Sequence, residues 1–100
     1  MSTTDLQVDK KIKQKIQEPK QWQVILINDD HTPMDFVIDL LMDIFGHTYD
    51  QAETIMMQVH ETGSGIAGIY SFEIAETKAV EATTMARAAN FPLQIKIEED

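Results

Sequence analysis

Asn28, Asp29 and Asp30 follow the apolar run Val24-Ile25-Leu26-Ile27 without a break, and His31-Thr32-Pro33 comes directly after them. Two neighbouring carboxylates repel each other, so a cation close by relieves them. The chemical question is which cation: a solvent ion, a metal, a lysine, or a group brought by a partner. Further along the chain, His60 supplies an imidazole that can act as base, ligand or hydrogen-bond partner.

Three kinds of chemistry are open to these residues. Metal binding would use Asp29, Asp30, His31 and His60. His60-Glu61 begins like a zinc-protease motif, but position 64 is Ser where the second His is needed. A calcium loop starting at Asp30 would need Gly and Glu where the chain has Asp35 and Leu41. No metal and no other cofactor is therefore expected. Acid–base catalysis is the second option. The chain has no nucleophile elbow and no glycine-rich phosphate loop, and Ser64 and Ser71 stand alone. Adjacent carboxylates also point different ways, so Asp29 and Asp30 make a poor dyad, and a non-enzymatic protein is expected.

Recognition is the third option. A strand end feeding a capped helix, with Asn and Asp in the turn, presents several acceptors in a small space. The plain alternative is that Asn28-Asp29-Asp30 only shapes a turn, with Asp30 helping to cap the helix. On that view His60 is half-buried and satisfied by backbone, while Met34 and Met56 fill the core. The two readings part on one point: whether His60 and Met56 face the Asn28-Asp29 turn.

The elements that position these residues follow from periodicity. Trp22 to Ile27 reads as a strand, rich in β-branched and aliphatic residues. Thr32 as N-cap and Pro33 as first helical residue open a helix to about Phe45, with Asp35 as a capping-box-like partner. Its apolar stripe is Val37, Leu40, Leu41, Ile44 and Phe45; Asp35, Asp39 and Asp43 share a solvated face, and Gly46 stops it. Thr48, with Gln51 three residues on, caps a second helix that buries Ala52, Ile55, Met56 and Val59. Gly63-Ser64-Gly65 forms a loop, Ile66 to Phe72 a second strand and Ile74 to about Asn90 a third helix. After Pro92, the alternation Leu93, Ile95, Ile97 gives a third strand. The order βααβαβ predicts an α+β fold: a three-stranded, mainly antiparallel sheet with three helices on one face.

One hundred residues suit a single domain. Residues 1–20, polar and ending near Pro19, read as a mobile tail ahead of a domain over 21–100. The balance of 8 basic against 17 acidic residues gives a net charge of -9, a poor surface for nucleic acid and a suitable one for a cationic ligand or basic protein face. The acidity also simply keeps a chain soluble. No apolar run is long enough for a membrane span, and the N-terminus has no apolar signal core. Cytoplasmic residence is therefore the default, the absence of cysteine fits it, and a monomer is the simplest expectation.

Three separated segments carry a resemblance to a known family. Val24 to Met42, VILINDDHTPMDFVIDLLM, resembles the stretch after the first strand of the ClpS adaptors of the bacterial Clp protease system. Met56-Met57-Gln58-Val59-His60 and Ile74-Ala75-Glu76-Thr77-Lys78 are similar to two further motifs of that family, in the same order. The resemblance covers about Trp22 to Glu98 and implies three antiparallel strands with three helices. It also implies a non-enzymatic adaptor that binds the first residue of N-degron peptides and proteins (Leu, Phe, Tyr or Trp) and delivers them to the unfoldase ClpA for degradation by ClpP.

By resemblance, Asn28, Asp29 and His60 hold the α-amino group, while Asp30 and Thr32 line the same end. Met34 is similar to a gate residue, and Val37, Met56, Val59 and Leu93 to an apolar wall. Glu73 and Lys78 match a face that docks the ClpA N-terminal domain, and the tail resembles the segment that engages the unfoldase. The alternative kept beside this is a regulatory partner of an AAA+ unfoldase that alters substrate choice without reading N-termini.

Overall fold

The computed structural model describes residues 19–100, so residues 1–18 of the expected tail lie outside the described residues. Six elements follow in the order βααβαβ: β1 (Trp22–Ile27), α1 (Met34–Asp43), α2 (Tyr49–Thr62), β2 (Ser64–Tyr70), α3 (Phe72–Ala88) and β3 (Gln94–Glu99). The three strands form one antiparallel sheet in the order β2-β1-β3, as the α+β reading anticipates. The most apolar strand, β1, is central, because both its edges are paired and its two faces are most shielded.

Alternation along β1 sends Val24 and Leu26 (both 0% exposed) into the core and leaves Ile25 on the opposite face. The helices meet the core face through Val37, Leu40 and Leu41 of α1, Ala52, Met56 and Val59 of α2, and Ala75, Ala82 and Ala86 of α3. Small residues on the buried side of α3 let that helix lie close to the sheet. Burying each of the large aliphatic chains contributes about 1.5–3 kcal/mol before conformational entropy is counted.

The pairing of β1 with β2 slips between Val24 and Ile25. Val24 faces Gly68 and Ile25 faces Ile66, leaving Ala67 as a bulged residue. Ala67 is 1% exposed, and its carbonyl is met by Nε2 of His47. The bulge thus ties the α1–α2 connection to the sheet.

Several boundaries differ from the sequence reading. Pro33, not Thr32, occupies the N-cap position of α1, with an extended backbone (ψ 147) and no side-chain cap bond. The Thr32 hydroxyl is committed elsewhere, donating to Asp29, and Asp35 accepts from the N–H of Phe36 rather than closing a capping box. The expected loop at 63–65 shrinks to Gly63, which caps α2 in the left-handed region (φ 95). Ser64 and Gly65 already pair with Ile27 and Leu26, so β2 starts earlier and ends at Tyr70. Phe72 belongs to α3, where its ring meets Trp22 edge-on at 4.9 Å. The capping box at Thr48 and Gln51 forms as read, with reciprocal bonds of 3.2 and 3.0 Å.

Candidate functional site

The connection from β1 to α1 is held by its own polar groups. The Asn28 N–H donates to the Gly63 carbonyl at 2.9 Å, fixing the end of β1 against the C-terminus of α2. Asp29 Oδ1 accepts the N–H groups of His31 and Thr32, each at 2.8 Å, and its Oδ2 accepts the Thr32 hydroxyl at 2.8 Å. The turn-shaping role weighed for the sequence is therefore real for Asp29. It does not extend to Asp30, which makes no cap bond to α1.

An ionised carboxylate has about four acceptor sites, and these bonds take three. Burial pushes the Asp29 carboxyl up, but the Thr32 hydroxyl, the two backbone N–H groups and the nearby His31 together outweigh it and hold it below the usual carboxylate value of 3.8. Asp29 is thus a fixed, ionised acceptor at neutral pH.

A cavity of about 290 Å³ opens beside this turn. Asn28, Asp29, Asp30, Thr32, Met34, Val37, Met56, Val59 and His60 line it together with Pro33. The turn after β1, the first turns of α1 and the last turns of α2 each contribute. His60 and Met56 do face the Asn28-Asp29 turn, the point on which the two sequence readings part. Val37 and Met56 (6% exposed each) and Val59 (3%) form an apolar floor, whereas Met34 is 43% exposed at the solvent side.

Leu93, also expected at the apolar wall, lies in the same buried cluster as Val37, Met56 and Val59. It is 1% exposed, behind the residues that line the cavity surface. It follows the turn at Asn90 (φ 63) that returns the chain to β3. Glu73 and Lys78 lie on α3 outside the cavity. Glu73 is exposed in the first turn, and Lys78 Nζ donates to the Ile44 carbonyl at 2.9 Å, closing the C-terminus of α1.

Two contributors escape the sequence reading. Pro33 lines the cavity, though its position after Thr32 signals only a helix start. Gly65 is 2.8 Å, measured from an added Cβ, from Cγ2 of Val59, so its lack of a side chain lets the cavity floor sit where it does. Nothing in the local pattern marks that contact, which joins residues of different elements.

A larger and more open hollow of about 780 Å³ lies between α3 and β3. None of the candidate site residues lines it, and aliphatic residues, among them Val80, Ile95 and Ile97, make up half of its lining. Among the described residues no group of three or more His, Asp or Glu side chains is placed to hold a metal ion, and no helix is long and apolar enough to cross a membrane. The smaller cavity, at the low end of the roughly 300–1,000 Å³ typical of ligand clefts, combines a floor for one apolar side chain with acceptors for a small cationic group.

Comparison with known proteins gives a consistent picture. The family model for the ATP-dependent Clp protease adaptor protein ClpS matches residues 17–96. The ATP-dependent Clp protease adapter protein ClpS of Treponema denticola is 49% identical over 88 residues, covering 88% of this chain and 87% of that protein. The protein of the same name from Campylobacter jejuni is 51% identical over 86 residues, covering 86% and 90%. Among solved structures, Agrobacterium tumefaciens ClpS2 bound to L-phenylalaninamide superposes with a TM-score of 0.80 at 40% identity, over 83% of this chain and 100% of that one.

Proposed function

Because the chain belongs to the ClpS family of Clp protease adaptors, we propose that its cavity captures the first residue of a protein substrate. The family's proteins are named as adaptors, not as enzymes. The observation that carries the reading is the meeting of Asn28, Asp29 and His60 with Val37, Met56 and Val59 in one small cavity. A free α-amino group is mostly protonated at neutral pH, with a pKa of about 7.7–8.0, and offers three donors on one charge. The fourth acceptor site of Asp29, the Asn28 amide oxygen and a ring nitrogen of His60 supply three acceptors. The apolar floor takes the attached side chain, of the class Leu, Phe, Tyr or Trp. The ligand in the related Agrobacterium structure, L-phenylalaninamide, has this constitution: an aromatic side chain beside a free α-amino group.

Each hydrogen bond to a charged group contributes roughly 1.5–3 kcal/mol net, and burial of the side chain adds roughly 1.5–3 kcal/mol. Association and ordering entropy offset much of this, giving a Kd in the micromolar region to within about a decade. Acetylation removes the charge and leaves Asp29 without its cation. A β-branched first residue places a methyl close to the amine, where a cavity of about 290 Å³ has little room.

Docking to the N-terminal domain of ClpA through Glu73 and Lys78, with delivery to ClpP, completes the proposed cycle. The N-terminal segment engages the unfoldase, and the adaptor acts as a cytoplasmic monomer. Titration of fluorescent peptides that differ only at residue one tests the pocket. Phe-led peptide is expected to bind, with Val-led and acetyl-Phe-led peptides weaker by tenfold or more. Equal binding of all three refutes the pocket, and would leave a regulatory partner that does not read N-termini.

A further inference from the structure

Two methionines line the proposed pocket in very different states. Met56 is 6% exposed in the floor, whereas Met34, the first residue of α1, is 43% exposed. A thioether reacts with hydrogen peroxide by taking one oxygen atom: the sulfur is oxidised by two electrons to the sulfoxide, the O–O bond breaks, and water leaves. Access decides which methionine reacts, and within the cavity access is given to Met34.

The surroundings of Met34 also favour the product. Pro33 makes no side-chain cap bond, and among the described residues the N–H groups of Met34 and Asp35 meet no protein acceptor. Helical side chains lean back toward the N-terminus, over these donors. A thioether is a weak acceptor and leaves them to water; a sulfoxide oxygen is a strong one and sits at the positive end of the helix. The same side chain then presents a polar group to the mouth of a pocket whose ligand is apolar.

We propose that Met34 is an oxidation switch: a peroxide converts it to the sulfoxide and thereby weakens capture of apolar first residues. This inference rests on the pocket reading above, and the experiment separates the two. The full chain is treated with hydrogen peroxide until peptide mass mapping shows a gain of one oxygen at Met34. Its Kd for a Phe-led peptide is compared before and after, with the same ratio measured for Met34→Leu against that variant's own starting value. The expected result is an increase of about tenfold for the natural chain, reversed by methionine sulfoxide reductases, and a ratio near one for the variant. Three outcomes overturn the proposal: Met34 stays unmodified while Met56 reacts, Met34 is oxidised with Kd unchanged, or the variant loses affinity equally. Absence of binding before any treatment refutes the pocket itself, not the switch alone.

Discussion

Replacement of Asp29 by Asn separates the turn bonds that the carboxylate makes from the ammonium binding proposed for it. In the structure Oδ1 accepts two backbone N–H groups and Oδ2 accepts the Thr32 hydroxyl, all at 2.8 Å. The amide oxygen introduced by Asp29→Asn can keep the two N–H bonds, and the new NH₂ can donate to Thr32 Oγ1 after the hydroxyl rotates. The turn therefore survives, and at neutral pH stability falls by no more than about 1 kcal/mol. The bound ammonium fares worse. Its bond to a carboxylate, worth roughly 1.5–3 kcal/mol, becomes one to a neutral group, worth roughly 0.5–1.5 kcal/mol. A net loss of about 1–1.5 kcal/mol raises Kd by about five- to thirteenfold. Fluorescence anisotropy with a Phe-led peptide at pH 7 measures this, and thermal unfolding monitors the turn. Thr32→Val is the companion: it removes one bond to Asp29 but keeps the charge, so its Kd should rise less. If Asp29→Asn binds within twofold of the natural chain while melting at the same temperature, Asp29 shapes the turn and nothing more. The acid limb gives a second check. The Asp29 carboxyl is held below 3.8 in the folded chain, so its contribution to stability is present above that value and lost as pH falls through the depressed one. The stability gap between the two proteins should close in that range and not before.

Binding should also weaken in alkali, because only the protonated amine offers the charge. With a free-ligand pKa of about 7.8, affinity for a Phe-led peptide is expected to fall about fifteenfold between pH 7 and pH 9; a flat profile would mean that the neutral amine binds as well. Gly65→Ala places a methyl carbon 2.8 Å from Val59 Cγ2 and 3.4 Å from the Ile55 carbonyl. It should cost about 1–3 kcal/mol in chemical denaturation and raise the peptide Kd by displacing the cavity floor. Thr48→Ala breaks the capping box of α2 at the end remote from His60. It should destabilise by about 1 kcal/mol with peptide affinity unchanged, and a parallel loss of affinity would show that the whole helix must be rigid for capture.

What the sequence reveals and what it hides divide along physical lines. The capping box at Thr48 is legible because its partners are three residues apart and belong to one helix. The stripe Val37, Leu40, Leu41 is legible because helical period alone brings it to one face. Thr32 misleads because two local acceptor schemes compete for its hydroxyl, and the Asp29 turn takes it before the helix can. The start of β2 misleads because Gly63, Ser64 and Gly65 carry loop-like residue types, while pairing with Leu26 and Ile27 decides the conformation of the last two. The depth of Leu93 is hidden for a related reason. Its apolar character is evident, but how deep a leucine sits depends on the turn at Asn90 and on contacts distant in sequence.

The turn bonds and the proposed binding role are compatible at Asp29, although the sequence presents them as alternatives. A carboxylate on a freely moving loop would have to be immobilised each time a ligand arrived, and that ordering would offset part of the attraction. Here three intraloop bonds immobilise it beforehand and keep it ionised, leaving one acceptor site directed by the fold. The Asn28 N–H to Gly63 bond does the same for the neighbouring residue, and it anchors that residue to the helix end that carries His60. Both polar arms of the cavity are thus joined by backbone before any ligand enters. On the proposed reading, the bonds that look like mere turn chemistry are what make a small number of acceptors sufficient to hold one ammonium group.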